Sequence, residues 1–300
     1  ALLKDLVRIN TTNPPGEEEK LLLYLERILQ EHRIPYVYQK SAKGRGNLLA
    51  WQLADQAEEA PLILMSHTDV VAAQASQWKF PPFEAQEVDG YIYGRGTVDT
   101  KQLTAMELTA FLALKEKEIP LKRDVYFLAT SDEESGSAYG LQWFLDHEIT
   151  VGETTKTGRE LFRGSDVISE GGGFPVVGGK REFYLCESGQ KSCGTVEFTV
   201  KAKNAKGAFF TSEDGMERAM GLAEDIGKQK LDGRVLDTVK QFEQKLAGVQ
   251  LSPMMQKILT AMKQNSMTVT MITGKNVNEV TLVCDVRLLP GFGQKYLEEV

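Results

Sequence analysis

Two stretches decide the fold of this chain: Pro61-Leu-Ile-Leu-Met-Ser66, which runs into His67-Thr-Asp69, and Tyr93-Gly-Arg-Gly-Thr-Val-Asp99-Thr-Lys101. A short apolar run bounded by polar residues predicts a buried strand. His67 and Asp69 then lie just past the carboxyl end of that strand, where open α/β sheets bind their ligands. Because strand side chains alternate, both point to the same side of the chain. One can then bind a metal ion while the other holds neighbouring groups in place.

The composition is that of a globular protein. With 300 residues, 42% hydrophobic and 26% charged, the chain can bury a large core in one big domain or two smaller ones. The net charge of −7 argues against a nucleic-acid or membrane partner, since both attract clustered positive charge. No apolar run is long enough to span a bilayer. The three cysteines lack metal-site or redox spacing, and we expect a cytoplasmic protein.

The first part of the chain alternates strands and helices. Strands are predicted near Tyr36–Gln39, Asn47–Gln52, Pro61–Ser66, Tyr91–Tyr93, Asp124–Thr130 and Asp166–Ser169, and helices near Ala1–Asn10, Glu17–Leu29, Thr100–Glu116 and Tyr139–His147. Residues 150–164 are expected to form a polar loop. This alternation indicates an α/β fold, a largely parallel sheet covered by helices on both faces.

The pattern changes near Ser188–Ser192. Beyond it the sequence predicts a strand at Gly194–Ala202, helices at Met216–Ile226 and within Val235–Lys263, strands at Met267–Thr273 and Glu279–Leu288, and the start of a helix at Gly293. This order is that of a small α+β domain that lacks its last strand. We therefore divide the chain into a metal-binding domain at 1–190 and a second domain at 191–300.

Acidic or imidazole side chains recur at the ends of the predicted strands. His67, Glu133/Glu134 and Glu170 each follow an apolar strand, and Asp99 lies on the loop that enters a helix. Strand ends of one sense share one edge of a sheet, so these groups should converge. An imidazole with several carboxylates suits zinc, or less specifically manganese or cobalt. Adjacent glutamates cannot point the same way in an extended segment, so one can bind metal while the other handles protons.

Each of these residues also has an ordinary structural explanation. Asp99 after Gly-Arg-Gly could cap the helix that follows. Glu133 and Glu134 could be a solvated loop pair, and Glu170 before three glycines could form a turn. Taken singly, these explanations are the commoner ones. All four positions together, in this order, favour a metal site.

Five motifs resemble one family, the co-catalytic di-zinc amidohydrolases that include aminoacylase, carboxypeptidase S, carboxypeptidase G and succinyl-diaminopimelate desuccinylase. The motifs are Ser66-His-Thr-Asp-Val70, Tyr93-Gly-Arg-Gly-Thr-Val-Asp-Thr-Lys101, Ser131-Asp-Glu-Glu-Ser-Gly-Ser137, Ile168-Ser-Glu-Gly-Gly-Gly173 and Asp285-Val-Arg-Leu-Leu-Pro-Gly291. The resemblance implies a zinc-peptidase-like catalytic domain at 1–190. It also implies an inserted ferredoxin-like lid domain at 191–300, which carries dimer contacts in many members.

The resemblance implies two zinc ions and a ligand set for them. His67, Asp99 and Glu170 would hold one zinc. Asp99 would bridge to the second zinc, which Glu134 also binds. Two zinc ions about 3.5–4 Å apart would lower the pKa of a bound water to roughly 7 and polarise the scissile carbonyl.

The resemblance also assigns roles around the metals. Asp69 would orient His67 by a hydrogen bond. Glu133 would be the general base that takes a proton from the metal-bound water and passes it to the leaving amine. Arg287 would receive a substrate carboxylate, for which the planar guanidinium is well shaped.

The chain departs from the family pattern at its second zinc site. The family completes that site with a late histidine, but the three histidines here are His32, His67 and His147, and neither of the outer two lies in the matching segment. Together with the unfinished lid, this predicts that the catalytic domain continues past the chain. We expect these residues alone to have little or no activity, because a broken binuclear site activates water poorly.

The lid departs from the pattern at two further places. A histidine that stabilises the oxyanion in many relatives has no counterpart in Lys203-Asn-Ala-Lys-Gly-Ala208, where Lys206 could donate a hydrogen bond or simply be solvated. A family turn, Asn-Val-(Ile/Val)-Pro, is shortened, since Asn276-Val277 runs straight into Asn278-Glu279. Asn276 is retained as a candidate substrate contact.

Two functions remain open from the sequence. The first is a di-zinc peptidase or amidase that cleaves a dipeptide, a peptide C-terminus or an N-acyl amino acid beside a free carboxylate. Glu170-Gly-Gly-Gly resembles carboxypeptidase S and the N-acyl-amino-acid hydrolases more than the desuccinylases. The second is a non-catalytic metal-binding or interaction module, or an inactive fragment of such an enzyme, which the absent histidine favours.

Overall fold

The chain forms two compact units, Ala1–Glu170 and Gly171–Val300. The structure is a computed structural model and describes residues 1–178, 181–187, 189–202, 215–276 and 278–300. Lys206 therefore lies outside the described residues. The division between the units falls ahead of the sequence-based boundary at 190/191. The assignment of catalytic and lid roles to 1–190 and 191–300 stays a prediction.

The first unit contains every strand and helix predicted for it. It also contains three strands and a short helix that the sequence did not predict. Its helices are α1 (Leu2–Arg8), α2 (Glu19–Glu31), α3 (Lys101–Glu116), α4 (Leu141–Asp146) and α5 (Gly158–Leu161). Its strands are β1 (Tyr36–Ala42), β2 (Arg45–Gln52), β3 (Leu62–His67), β4 (Gln86–Val88), β5 (Tyr91–Tyr93), β6 (Val125–Thr130), β7 (Glu148–Val151), β8 (Thr154–Thr157) and β9 (Asp166–Ile168).

The prediction of a polar loop at 150–164 was wrong. The segment holds the end of β7, which pairs with β8 in an antiparallel hairpin, and the short helix α5. Thr157 caps this helix in a capping box with Glu160. Ile149 and Val151 of β7 are buried, so β7 anchors the hairpin to the core. The threonine-rich β8 is polar and largely exposed.

A five-stranded sheet in the order β1-β2-β6-β3-β9 forms the centre of the first unit. Its β6–β3 and β3–β9 pairs are parallel, whereas β1–β2 and β2–β6 are antiparallel. The predicted α/β class is confirmed. Parallel register pairs His67 with Thr130, so that β3 and β6 end at the same edge of the sheet.

Side-chain alternation along the central strands produces a core on each face of the sheet. Leu48 and Phe127 pack with residues of α1, α2 and α3 on one face. Leu49 and Leu128 pack with Phe144 of α4 and with β7 on the other. Each large apolar side chain buried in this way contributes roughly 1.5–3 kcal/mol. Both faces are therefore covered, and the strand ends are held rigidly at the edge where the acidic loops emerge.

The second unit is an α+β structure. Its helices are α6 (Gly215–Lys228), α7 (Asp237–Lys245), α8 (Pro253–Ala261) and α9 (Gln294–Glu299), and its strands are β10 (Gly172–Gly178), β11 (Arg181–Cys186), β12 (Ser192–Lys201), β13 (Ser266–Asn276) and β14 (Glu279–Leu288). Strands β12, β14 and β13 form an antiparallel sheet, and Ala219 and Ile226 of α6 pack on it.

The helical stretch predicted at 235–263 is two helices, α7 and α8. Gly248 lies between them with a φ of +78°, a backbone conformation that glycine adopts at little cost. Pro253 then begins α8 behind a Ser252 cap. Among the described residues, no helix combines the length and apolar character needed to cross a bilayer.

Candidate metal centre

The predicted site residues of the first unit meet where β3 and β6 end. His67 is the last residue of β3 and is 3% exposed. Its Nε2 atom lies 3.1 Å from Asp99 Oδ1 and 3.4 Å from Glu170 Oε2. Glu133 Oε2 is 4.0 Å from the same nitrogen. Three carboxylates from separate loops thus surround one imidazole nitrogen.

Two groups of possible metal ligands overlap at His67. One group joins it to Glu133 and Glu170, and the other joins it to Asp99 and Glu134. Within each group the donor atoms all lie within 4.8 Å of one another. The structure brings together all five side chains predicted to line the site. The assignment of four of them as ligands and of Glu133 as a base stays a prediction.

Asp69 is the fully buried residue that organises this edge. Nδ1 of His67 lies 3.1 Å from the backbone carbonyl of Asp69 and 3.3 Å from its Oδ1 atom, and that Oδ1 also accepts the backbone N–H of Glu133 at 3.1 Å. The Oδ2 atom of Asp69 accepts the backbone N–H of Glu134, also at 3.1 Å. Asp69 therefore holds the imidazole with Nε2 toward the carboxylates, and it also fixes the backbone of the glutamate pair.

The backbone after β6 turns sharply to present these two amides. Asp132 adopts a left-handed conformation with a φ of +65°, and a single 3-10 turn spans Glu133–Ser135. Aspartate visits this region more readily than most residues because its short side chain can hydrogen-bond locally. Here Asp132 Oδ2 accepts the backbone N–H of Tyr139 at 3.0 Å.

The electrostatics of the site favour a bound cation. Burial alone would lower the pKa of His67, but hydrogen bonds to Asp69 and Glu170 outweigh it and raise that pKa to about 11. Burial raises the pKa of Glu133 and of Glu134, and neighbouring carboxylates add to this effect. Such crowding of negative charge around one imidazole is relieved by a divalent ion. The nitrogen and oxygen donors fit zinc.

Sequence reasoning missed two residues behind Asp69. Asn13 Nδ2 donates to Asp69 Oδ2 at 2.8 Å, and Arg45 donates to Asn13 Oδ1. Residues 11–16 carry no predicted function. An asparagine before two prolines is equally typical of a turn, so no sequence signal pointed to this contact.

The remaining candidates lie away from the centre or in the second unit. His32 pairs with Glu116 at 3.0 Å, and His147 stacks on Trp143 with ring centroids 3.7 Å apart. Arg287 projects from β14, and its Nε donates to Asp285 Oδ2 at 3.0 Å. Asn276 ends β13, and its Oδ1 accepts the Asn278 N–H at 2.8 Å.

Comparison with known proteins identifies the family. Residues 63–276 match peptidase family M20/M25/M40. The chain belongs to this family. The match spans four of the five motifs completely, the fifth, Asp285–Gly291, lying beyond it, and it confirms the resemblance that the motifs indicated. The M20 family name describes a peptidase, in agreement with the hydrolase class predicted from the sequence.

Relatives of this M20 chain carry related names. A probable succinyl-diaminopimelate desuccinylase of Staphylococcus epidermidis is 35% identical over 147 residues, which cover 48% of this chain and 35% of that protein. An uncharacterized metallohydrolase of Methanocaldococcus jannaschii is 29% identical over 231 residues, which cover 72% of this chain and 52% of that protein. The chain thus spans about a third to a half of these relatives, 35% and 52% of their lengths.

A solved structure shares the M20 fold. The M20 family metallo-carboxypeptidase of Sulfolobus solfataricus superposes with a TM-score of 0.66 and 21% identity, over 99% of this chain and 72% of that one. At this identity the likeness concerns the fold. It agrees with the α/β architecture described for the first unit.

Proposed function

We propose that the protein is a di-zinc hydrolase that cleaves an amide or peptide bond in a small substrate with a free carboxylate. The observation that carries the proposal is the pair of donor groups that share His67, with donor atoms within 4.8 Å of one another in each. A buried imidazole ringed by carboxylates on separate loops is costly to assemble without a cation. Family membership supplies the reaction class.

His67, Asp99 and Glu170 would hold one metal ion, because their atoms approach most closely around Nε2 at 3.1 and 3.4 Å. Asp99 and Glu134 would hold the second, since Asp99 belongs to the donor group that includes Glu134. When bound, the ions polarise the scissile carbonyl and lower the pKa of an attacking water to about 7. Asp69 keeps the imidazole in the tautomer that leaves Nε2 free to bind.

Glu133 is the proposed general base. Its side chain is 47% exposed and so reaches the space that a substrate would enter. Burial and the nearby carboxylates raise its pKa, which brings the carboxylate closer to the basicity useful near neutral pH. Glu133 would take a proton from the attacking water and deliver it to the leaving amine.

The proposed substrate carries a carboxylate beside the scissile bond. Two comparisons support this class, because one relative is named a desuccinylase and one solved structure a carboxypeptidase. Within the chain, Arg287 is the proposed receiver of that carboxylate. Its contact with Asp285 holds the guanidinium in place, and a planar guanidinium binds a carboxylate through paired hydrogen bonds.

The adjacent residues Glu133 and Glu134 allow a matched test of base against metal ligand. In the complete zinc-loaded protein, hydrolysis of a panel of dipeptides and N-acyl amino acids is measured for wild type, Glu133→Gln and Glu134→Gln. Loss of the base should lower kcat by at least about 100-fold while two zinc ions still bind. Loss of the ligand should reduce zinc stoichiometry as well. Turnover by Glu133→Gln at the wild-type rate would contradict the mechanism.

One observation favours the non-catalytic alternative. The site contains a single imidazole, since His32 and His147 are engaged elsewhere with Glu116 and Trp143. A carboxylate-rich site can bind metal without activating water effectively. In the complete protein, one bound metal ion or none, without hydrolysis of any member of the panel, would support this alternative over the enzyme.

A further inference from the structure

Behind the metal centre lies a group of buried polar side chains, here called the Asp69 cluster. Each member is at most 7% exposed, and the members are Asn13, Glu18, Arg45, Asp69 and Asp132. Taking charges out of water costs several kcal/mol per ion unless they are well paired. A cluster with three carboxyl groups and one guanidinium therefore calls for an explanation beyond packing.

Asn13 joins the two loops that carry the centre. Its Nδ2 group donates to Asp69 Oδ2 at 2.8 Å and to Asp132 Oδ1 at 3.0 Å. Asp69 lies two residues after His67, and Asp132 immediately precedes Glu133. One amide group thus sets the spacing between the segment that supplies the imidazole and the segment that supplies the glutamates.

Arg45 fixes the orientation of that amide. Its guanidinium donates to Asn13 Oδ1, to Asp132 Oδ1 and, at 2.6 Å, to the backbone carbonyl of Pro15. Glu18 Oε1 lies 3.7 Å from the same guanidinium. With its carbonyl oxygen held by Arg45, the Asn13 side chain must turn its NH₂ group toward the two aspartates.

Asn47 shows what a purely structural asparagine does at the same loop. It is 1% exposed, accepts the Ser131 N–H at 3.4 Å and donates to the Tyr139 carbonyl at 3.3 Å. These bonds brace the backbone on either side of Asp132. Within the described part of the chain, neither of these bonds is made to the Asp69 carboxylate. Asn13 therefore differs from Asn47 in its hydrogen bond to Asp69, the contact that reaches the centre.

We propose that Asn13, held by Arg45, is a positioning residue for Asp69. Through that carboxylate it fixes the imidazole of His67 and the glutamate backbone, and so sets the geometry in which metal is bound. The inference rests on the proposed function, because it assigns Asn13 a task in the same metal centre. Partners of this kind typically change metal affinity by about 10–100-fold when they are removed.

The test compares Asn13→Leu with Asn47→Leu in the full chain. Both replacements remove a buried amide and keep a similar volume, but only the first removes a hydrogen bond to Asp69. Zn²⁺ affinity is measured by competition with a chromophoric chelator, and the Co²⁺-loaded forms are compared by their visible absorption bands. Thermal unfolding followed by circular dichroism fixes a temperature at which every variant is folded. Asn13→Ala replaces Asn13→Leu if the latter does not fold.

The expected result is a Zn²⁺ affinity about 10–100-fold weaker for Asn13→Leu, with shifted Co²⁺ bands. Asn47→Leu should unfold at a lower temperature but keep the wild-type affinity and spectrum. Equal affinity for Asn13→Leu and wild type, or an equal loss in both variants, would overturn the inference alone. A wild-type protein that binds no Zn²⁺ would overturn the proposed function and this inference together.

Discussion

At the scale of single residues, Glu107 of α3 is a carboxyl group inside the core. It is 5% exposed, and neither of its oxygens has a hydrogen-bond partner of good geometry among the described residues. Burial raises its pKa to about 8, and the nearby Ser66 hydroxyl and Met65 backbone lower it only in part. Glu107 is therefore largely protonated in the folded protein at neutral pH.

This burial predicts a stability that falls as pH rises. The unfolded chain releases the Glu107 proton near pH 4.5, and the folded protein releases it near pH 8. Between these values the folded state binds more protons, so the free energy of unfolding decreases with pH by up to about 1.4 kcal/mol per unit. Glu107→Gln should flatten this slope and stabilise the protein at about pH 8 by roughly 1–3 kcal/mol. Urea unfolding of the metal-free wild type and variant between pH 4.5 and pH 8 measures this dependence of the free energy of unfolding on pH.

Glu118→Gln is the matched control for this prediction. Glu118 follows the same helix, and its side chain is exposed. Its replacement should leave the pH profile parallel to that of wild type. Parallel profiles for wild type and Glu107→Gln would show that the buried carboxyl group does not titrate as expected.

Single residues also mark the limit of prediction from sequence. His67 and Glu170 could be placed because each follows an apolar strand, and strand ends of one sense share an edge. Asn13 could not, because its contact with Asp69 joins positions 56 apart and its local sequence is that of a turn. Hydrophobicity likewise favours Met106 over Glu107 as a buried residue of α3, whereas Met106 is 64% exposed.

At the scale of elements, Lys101 ties the N-terminal helix to α3. It is the first residue of α3 and is fully buried. Its Nζ donates to the backbone carbonyls of Leu6 at 3.0 Å and Ile9 at 2.6 Å. These carbonyls lie at the C-terminal end of α1, where the helix dipole favours a donor or cation. With seven residues, α1 is too short to be stable without such contacts.

Lys101→Met should loosen α1. Methionine keeps much of the buried volume but removes the donor to the Ile9 carbonyl and leaves the Leu6 carbonyl with only the Ile9 N–H. An unmade buried hydrogen bond costs about 1–3 kcal/mol. We expect a lower free energy of unfolding and faster amide exchange in Leu2–Arg8, measured by hydrogen–deuterium exchange. Lys115→Met, at an exposed position of the same helix, is the control. Unchanged exchange in α1 would contradict the proposed tie.

Elements were predictable where a hydrophobic pattern accompanied them. Helix α2 carries leucines at helical spacing, and Leu21, Leu22, Leu25 and Leu29 are all buried. The β7–β8 hairpin was missed because its second strand is polar and exposed, and its pairing depends on the core that receives Ile149 and Val151. The antiparallel pairing of β2 with β6 was also beyond sequence reasoning, since those strands are distant in the chain.

At the scale of the whole molecule, the two units have separate cores. The first unit has cores on both faces of its mixed sheet, and the second has its own between α6 and the β12-β14-β13 sheet. The change of sequence character near Ser188 predicted two domains. The compact units divide earlier, at Glu170/Gly171. Strands β10 and β11, which pair with each other, lie in the intervening stretch, where the sequence predicted no strand.

The separate cores predict that metal stabilises one unit selectively. All the proposed ligands belong to Ala1–Glu170, and they come from the end of β3 and three loops that a bound ion would tie together. An ion that binds only the folded state adds about 2.7 kcal/mol at a free concentration of 100 times Kd. Zinc should therefore raise the unfolding temperature and slow amide exchange around His67, Asp99 and Glu133, while exchange in β12 to β14 stays unchanged. His67→Ala should abolish both effects, and a zinc response that survives in this variant would show that the ion binds elsewhere.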